Sequence, residues 1–134
     1  MQGPLARRGK AVTKKTKGQI EAEISNAIIK FEKEYMGRGP VETKTYIIDD
    51  MVLVRMQGLI TKAEHHLAST GNAVKGRELL KQTRIELIEK ARPSLEPVIE
   101  SIVGESVKSL HMDISTKTGE KIIIFTLEKP PKLS

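Results

Sequence analysis

The 134-residue sequence contains no cysteine and no tryptophan, and aromatic residues make up only 3% of it. Without cysteine the chain has no disulfide, no thiolate nucleophile and no thiolate metal ligand, which is compatible with a reducing cytoplasm. The scarcity of aromatic rings argues against a surface that stacks nucleic-acid bases. Apolar runs such as 122–125 are far shorter than the ~20 residues that cross a bilayer, and no apolar signal segment is evident. We therefore expect a cytoplasmic protein.

The chain has no net charge beyond its first 17 residues. Residues 18–134 carry 17 cations and 17 acids, so the net charge of +6 lies in residues 1–17. The cations of that segment are Arg7, Arg8, Lys10, Lys14, Lys15 and Lys17. Residues 1–15 lack apolar periodicity and are predicted to form a flexible basic arm. A single domain over 16–128 and a tail over 129–134 are predicted to follow it.

The first helix is predicted by a capping-box spacing between Thr16 and Gln19. Apolar residues then recur at three- and four-residue steps as far as Tyr35, and Gly37 indicates where the helix has ended. On this pattern Glu32 and the other charged residues of the segment face water.

Four strands are predicted as two hairpins. The β-branched and apolar runs 41–48 and 51–57 are joined by Asp49-Asp50, and the runs 105–115 and 121–128 form the second pair. Asp49-Asp50 is interpreted as a turn, with a site for a hard cation as the alternative.

Two helices are predicted between the hairpins. Residues 61–64 have capping-box spacing and open a short helix that Gly71 closes. Residues 72–103 are helical by propensity, but Pro93 predicts a kink or break near 92–94, with Ser94 as a new cap. The order α-β-β-α-α-β-β predicts an α+β fold: a four-stranded antiparallel sheet with helices packed on one face.

Cations are the candidate ligand-binding residues. Arg38 lies between two glycines in a loop whose amides could hold an anion. Together with Arg55 and Arg77 it could form an anion-binding or enzymatic module. The favoured alternative for Arg38 is an ordinary helix end, where the helix dipole disfavours anions. Arg77 and Arg84, seven residues apart, are typical of a solvated helix surface.

Histidines and acids offer no stronger candidate. His65-His66 point about 100° apart on a helix and cannot close on one ion. His111 and Asp113 share one face of a strand, but no third ligand is evident beside them. Gly-rich phosphate loops, nucleophile elbows and metalloprotease spacings are absent. The sequence therefore predicts no catalytic residue, no metal site and no cofactor.

Several short segments of the chain match a family pattern over about residues 16–128. They are Gly37-Arg38-Gly39-Pro40, Met51-Val52-Leu53-Val54-Arg55, Leu59-Ile60-Thr61-Lys62-Ala63-Glu64, Gly71, Arg77, the exit from Gly104 to Val107, Asp113 and Ile124-Phe125-Thr126-Leu127. In these segments the chain resembles the bacterial MpsC-like family, named after the third component of a sodium-translocating membrane-potential-generating system and formerly a domain of unknown function. The resemblance implies a small soluble protein associated with membrane proteins of ion or inorganic-carbon uptake. It carries over no catalytic residue, and the matching positions of functional interest are Arg38, Arg55, Glu64 and Arg77.

Three classes of function stay open at this point. The first is a non-catalytic accessory protein, expected as a homodimer because Tyr46-Ile47-Ile48 would need cover on both faces, with a membrane-protein partner implied by the resemblance. The second is the anion-binding or enzymatic module. The third is weak nucleic-acid binding through the arm, without sequence specificity. The arm could also bind anionic lipid at the inner face of the membrane, or it could be a solubilising tail.

Overall fold

The structure is a computed structural model that describes residues 15–35, 37, 39–58, 64, 66, 71 and 73–134. These residues form two long helices and four strands. The elements are α1 (Lys17–Tyr35), β1 (Glu42–Ile48), β2 (Met51–Gln57), α2 (Ala73–Val103), β3 (Val107–Ile114) and β4 (Lys121–Leu127). Glu64 and His66 are helical, and the rest of the short helix predicted from residue 61 lies outside the described residues. No helix in the described part of the chain is long and apolar enough to span a bilayer.

The four strands form one antiparallel sheet in the order β1-β2-β4-β3. Alternate residues of each strand face the two helices, so Val54 and Phe125 are fully buried while their chain neighbours are not. The residues that this face and the helices bury together are Ile20, Ile24, Ile28, Phe31, Ile47, Val52, Val54, Met56, Ile88, Ala91, Leu95, Ile99, Val103, Leu110, Ile123, Phe125 and Leu127. The α+β architecture with helices on one face is confirmed.

The predicted capping box at the start of α1 is present. The Thr16 amide donates to Gln19 Oε1 at 2.8 Å, and the Gln19 amide donates to Thr16 Oγ1 at 3.1 Å. Two amides that the helix leaves without internal partners are thereby satisfied. The helix ends at Tyr35, and Gly37 has a φ of 76°, as expected after a helix C-terminus.

Of the kink or break predicted near residues 92–94, the break is wrong, because α2 runs without interruption through Pro93 and Pro97. Both prolines are exposed, on the side of the helix away from the sheet. The carbonyls that lose their amide partners there can be hydrated, and the buried residues on the opposite side keep the helix together. Ser94 caps nothing; its Oγ accepts a hydrogen bond from the Tyr35 hydroxyl at 2.8 Å and so connects the two helices.

Turns between the strands follow the sequence closely. Asp49 begins the tight turn between β1 and β2 with a φ of 55°, a left-handed conformation that aspartate tolerates better than most residues. Gly119, with a φ of 79°, lies in the turn between β3 and β4. These turns fix the register that places the side chains described below.

Candidate functional site

Arg55 lies on β2, on the face of the sheet that points away from the helices. Its Nε donates to Glu120 Oε2 at 2.5 Å, and Gln57 Nε2 donates to the same oxygen at 3.0 Å. The hydrogen bond and the negative charge of Glu120 raise the pKa of Arg55. The guanidinium is therefore already paired with a carboxylate.

The other two arginines of the candidate anion site are not brought to Arg55. Arg77 lies on α2, in the helical layer on the opposite side of the sheet. Arg38 lies outside the described residues, as do Arg7, Arg8, Lys10 and Lys14 of the basic arm. Of the remaining arm cations, Lys15 pairs with Glu23 at 2.7 Å and Lys17 begins α1. Arg55 and Arg77 thus lie in different layers of the fold, and a site that they share with Arg38 stays a prediction.

His111 and Asp113 do lie on one face of edge strand β3, as their spacing predicts. The Ser109 hydroxyl lies 3.2 Å from His111 Nε2. Asp113 Oδ1 accepts from the Ile114 amide at 2.8 Å and lies 3.2 Å from Lys81 Nζ. Among the described residues, no group of three or more acids and histidines is placed to hold a metal ion.

A buried ion pair that the sequence reading missed joins α1 to the first residue of β4. Lys121 Nζ donates to Glu32 Oε2 at 2.8 Å, and neither side chain is exposed to solvent. Burial lowers the pKa of Lys121, the nearby charge of Arg84 lowers it further, and Glu32 opposes both. Glu32 Oε1 accepts no hydrogen bond from any described residue.

Arg84 is also buried, so the prediction of a solvated surface around it is wrong. Its Nη2 donates to both carboxylate oxygens of Glu64, at 2.8 and 2.7 Å. The prediction that Glu32 faces water is wrong in the same way. Both errors had a visible signal. Glu32 continues the four-residue series of Ile20, Ile24 and Ile28, and Arg84 lies midway between Leu80 and Ile88.

The face of the sheet away from the helices, named here the open face, is a candidate contact surface. No described element packs on it. By register its residues are Glu42, Lys44, Tyr46 and Ile48 on β1; Met51, Leu53, Arg55 and Gln57 on β2; Ile122, Ile124 and Thr126 on β4; and Ser109, His111 and Asp113 on β3. The centre is apolar, and Tyr46 and Ile48 are 40% and 46% exposed. Charged residues lie toward one end.

One protein-family model matches the part of the chain that contains all the described helices and strands. Residues 16–129 match the family described as "Na+-translocating membrane potential-generating system (MpsC)". The chain belongs to the MpsC family. The matched range includes every helix and strand described above and leaves the basic arm outside.

Two proteins of Bacillus subtilis (strain 168) are similar to this MpsC-family chain. It is 45% identical to the uncharacterized protein YbcI over 114 residues, which cover 85% of the chain and 90% of that protein. It is 25% identical to the uncharacterized protein YrhF over 108 residues, covering 80% of the chain and 86% of YrhF. No solved structure matches the chain. The family description therefore carries the functional information, and it suggests a role in a Na+-translocating system that generates a membrane potential.

Proposed function

We propose that this chain is a non-catalytic accessory protein of a Na+-translocating membrane-potential-generating system, and that it acts through protein contact at the open face. The observation that carries the proposal is the apolar centre of that face. Tyr46 and Ile48 project from β1 with almost half of their surface in water, beside Leu53 and Ile124. Contiguous apolar surface of this kind, bordered by polar residues, is typical of protein interfaces.

An exposed strand face has a physical reason to acquire a partner. Each large apolar side chain moved from water into a contact contributes about 1.5–3 kcal/mol when its burial is complete. The opposite face already has the helices as cover, whereas the described residues provide none for the open face. Contact with the surface of another protein would cover the open face.

The anion-binding or enzymatic alternative has less support. It required Arg38, Arg55 and Arg77 to converge, and Arg55 is paired with Glu120 on the side of the sheet opposite to Arg77. The Glu120 carboxylate offsets the charge of Arg55 and so weakens its attraction for a further anion. The accessory role is favoured for this reason.

The proposal is tested by complementation. In the bacterium that encodes the chain, we expect deletion of its gene to lower the membrane potential in Na+ medium, measured with a potential-sensitive dye. Wild type and Val98→Glu, an exposed apolar site on α2, should restore the potential, whereas Leu53→Glu should not. An unchanged potential after deletion, or full restoration by Leu53→Glu at wild-type abundance, would contradict the proposed function.

A further inference from the structure

We infer that the open face joins two copies of this chain, packed sheet on sheet about a two-fold axis that runs parallel to the strands between β2 and β4. The inference rests on the proposed function only in taking the open face as a protein contact surface. It adds that the protein in contact with the open face is a second copy of this chain, and it states how that copy is oriented. The dimer is then the form that enters the larger system.

The strand order dictates what such an axis brings together. Rotation about it lays β1 of one copy over β3 of the other and β2 over β4, because the axis passes through the middle of the β1-β2-β4-β3 sheet. Leu53 and Ile124 are direct register partners on the two central strands. Leu53 of each copy therefore meets Ile124 of the second copy, and the apolar centres coincide.

Charge complementarity favours this orientation. Lys44, Arg55, Ile122 and Asp113 lie in one row across the four strands, with a cation at one edge and an acid at the other. The rotation places Lys44 opposite Asp113 of the second copy, twice per dimer. Both side chains are largely exposed, and their intramolecular neighbours, Glu42 at 3.6 Å and Lys81 at 3.2 Å, form exposed pairs. Such pairs are worth little and can rearrange.

The perpendicular two-fold axis gives a poorer match. It would lay β1 over β1 and exchange the rows, so that Lys44 would meet Ile48 of the second copy. Lys44 and Asp113 would then each lack an opposite charge, whereas the parallel axis brings them together twice; Arg55, which the parallel axis places opposite Ile122 of the second copy, stays paired with Glu120 of its own copy. The axis parallel to the strands is therefore the one that the side chains favour.

The size of the open face predicts a reversible dimer. Four strands about 4.8 Å apart, each about 23 Å long, give roughly 400 Å² per copy in flat projection. The side chains increase the accessible area above this figure, which still leaves the interface near the lower limit for specific contacts. We expect dissociation in the micromolar range.

Sedimentation velocity over a wide concentration range, with the full chain, tests the inference. Wild type should approach twice the chain mass of 14.9 kDa as concentration rises. Leu53→Glu should weaken association at least tenfold, while the control Val98→Glu should not. Lys44→Asp and Asp113→Lys should each weaken it about tenfold, and the double variant should return to within about threefold of wild type, because the opposed charges are exchanged.

A chain that stays monomeric at all concentrations, or a double variant no better than either single variant, would overturn the inference. The charge exchange uses exposed positions, so the result stands even if Leu53→Glu fails to fold. The proposed function is judged separately. A monomeric wild type whose Leu53→Glu variant still fails to restore the membrane potential would remove the dimer and leave the contact function intact.

Discussion

Lys121 and Glu32 form the most enclosed ionic contact described in the chain, and it ties α1 to the start of β4. A buried pair of this kind does not guarantee net stability, because both charges give up their hydration. The pair instead restricts how α1 can pack, because each buried charge is tolerated only when it lies opposite its partner. The pair therefore fixes where the C-terminal half of α1 lies on the sheet.

Removal of one partner should be costly. We expect Lys121→Met to lower the free energy of unfolding by about 3–5 kcal/mol, because methionine cannot donate the hydrogen bond that Lys121 gives to the buried Glu32 carboxylate. The double variant Lys121→Met with Glu32→Leu should recover most of that loss. Urea denaturation measures both.

The matched control is Lys15→Met, which removes a pair of similar length between exposed side chains. Its cost should be no more than about 1 kcal/mol. A Lys121→Met variant as stable as this control would mean that the buried pair contributes nothing to the packing of α1.

Lys121 should also make stability depend on alkaline pH. Burial lowers its pKa in the folded protein below the ordinary value of 10.5. Between the folded and unfolded pKa values the unfolded chain binds the additional proton, so the free energy of unfolding rises with pH across that window. Below the window both states are protonated and the slope vanishes.

Denaturation curves for wild type and Lys121→Met in parallel isolate this contribution, since other titrating groups largely cancel. The charged groups around Lys121 are Glu32 on α1 and Arg84 on α2, with Glu64 bound to Arg84. The stability difference between wild type and variant should grow with pH in the alkaline range. A difference that is flat or shrinks would show that Lys121 is not desolvated.

At the scale of elements, α2 is unusual for the two prolines that it tolerates. Both face solvent, and Pro93 removes the amide that would bond to the Glu89 carbonyl. Packing on the opposite side of the helix, where Leu95 and Ile99 are fully buried, offsets the loss of this hydrogen bond. Helix continuity is therefore decided by packing and not by local propensity.

Pro93→Ala should stabilise the protein by about 1–2 kcal/mol. Alanine restores the amide and removes the ring clash, and part of the gain is offset because the unfolded chain becomes more flexible. Thermal unfolding followed by circular dichroism measures the change. A lower melting temperature would show that the restricted backbone of Pro93 contributes more to stability than the restored amide.

Local patterns predicted the parts of the fold that depend on neighbours in sequence. The capping box at Thr16, the turn at Asp49-Asp50 and the strand alternation all involve residues a few positions apart. The partner of Glu32 lies 89 residues away, so no window of the sequence contains both. Pairing of Lys121 with Glu32 depends on tertiary packing, although the alternation with Ile123 and Phe125 already placed Lys121 on the buried face.

The candidate contact surface was indicated in part by sequence. Consecutive apolar residues at 46–48 predicted that β1 needs cover on both faces, and Tyr46 and Ile48 are exposed. The sequence could not predict that Lys44 lies opposite Asp113 of the second copy in the proposed dimer, because this pairing follows from the strand order β1-β2-β4-β3. That order places β1 and β3 at opposite edges.

At the scale of the whole molecule, a neutral domain carries a cationic segment at its N-terminus. The Ser134 amide donates to the Lys15 carbonyl at 3.0 Å, so the C-terminal tail meets the start of the domain. Lys129 and Lys132 of the tail are exposed. Lys132 is thus two residues along the chain from the contact with Lys15.

This arrangement should recruit the protein to anionic membranes. Each cation near such a surface contributes about 1 kcal/mol, and the attraction falls as salt shortens the Debye length. We expect co-sedimentation with phosphatidylserine vesicles at low salt, little at high salt, and little for a variant lacking residues 1–14. Equal pelleting of the full and shortened chains would exclude a role for the arm.

The central claim, that two copies meet through their open faces, has a direct geometric test because the chain contains no cysteine. Single cysteines at Lys44 and Asp113 can be placed in separate chains, mixed and treated with a short bismaleimide. In the proposed dimer the two Cα atoms lie about 10 Å apart, whereas the two copies of position 44 lie about 17 Å apart. We predict a covalent dimer from the mixture of Lys44→Cys with Asp113→Cys and little from Lys44→Cys alone. Crosslinking of the mixture no greater than that of Lys44→Cys mixed with Lys90→Cys, at the exposed surface of α2, would contradict the account.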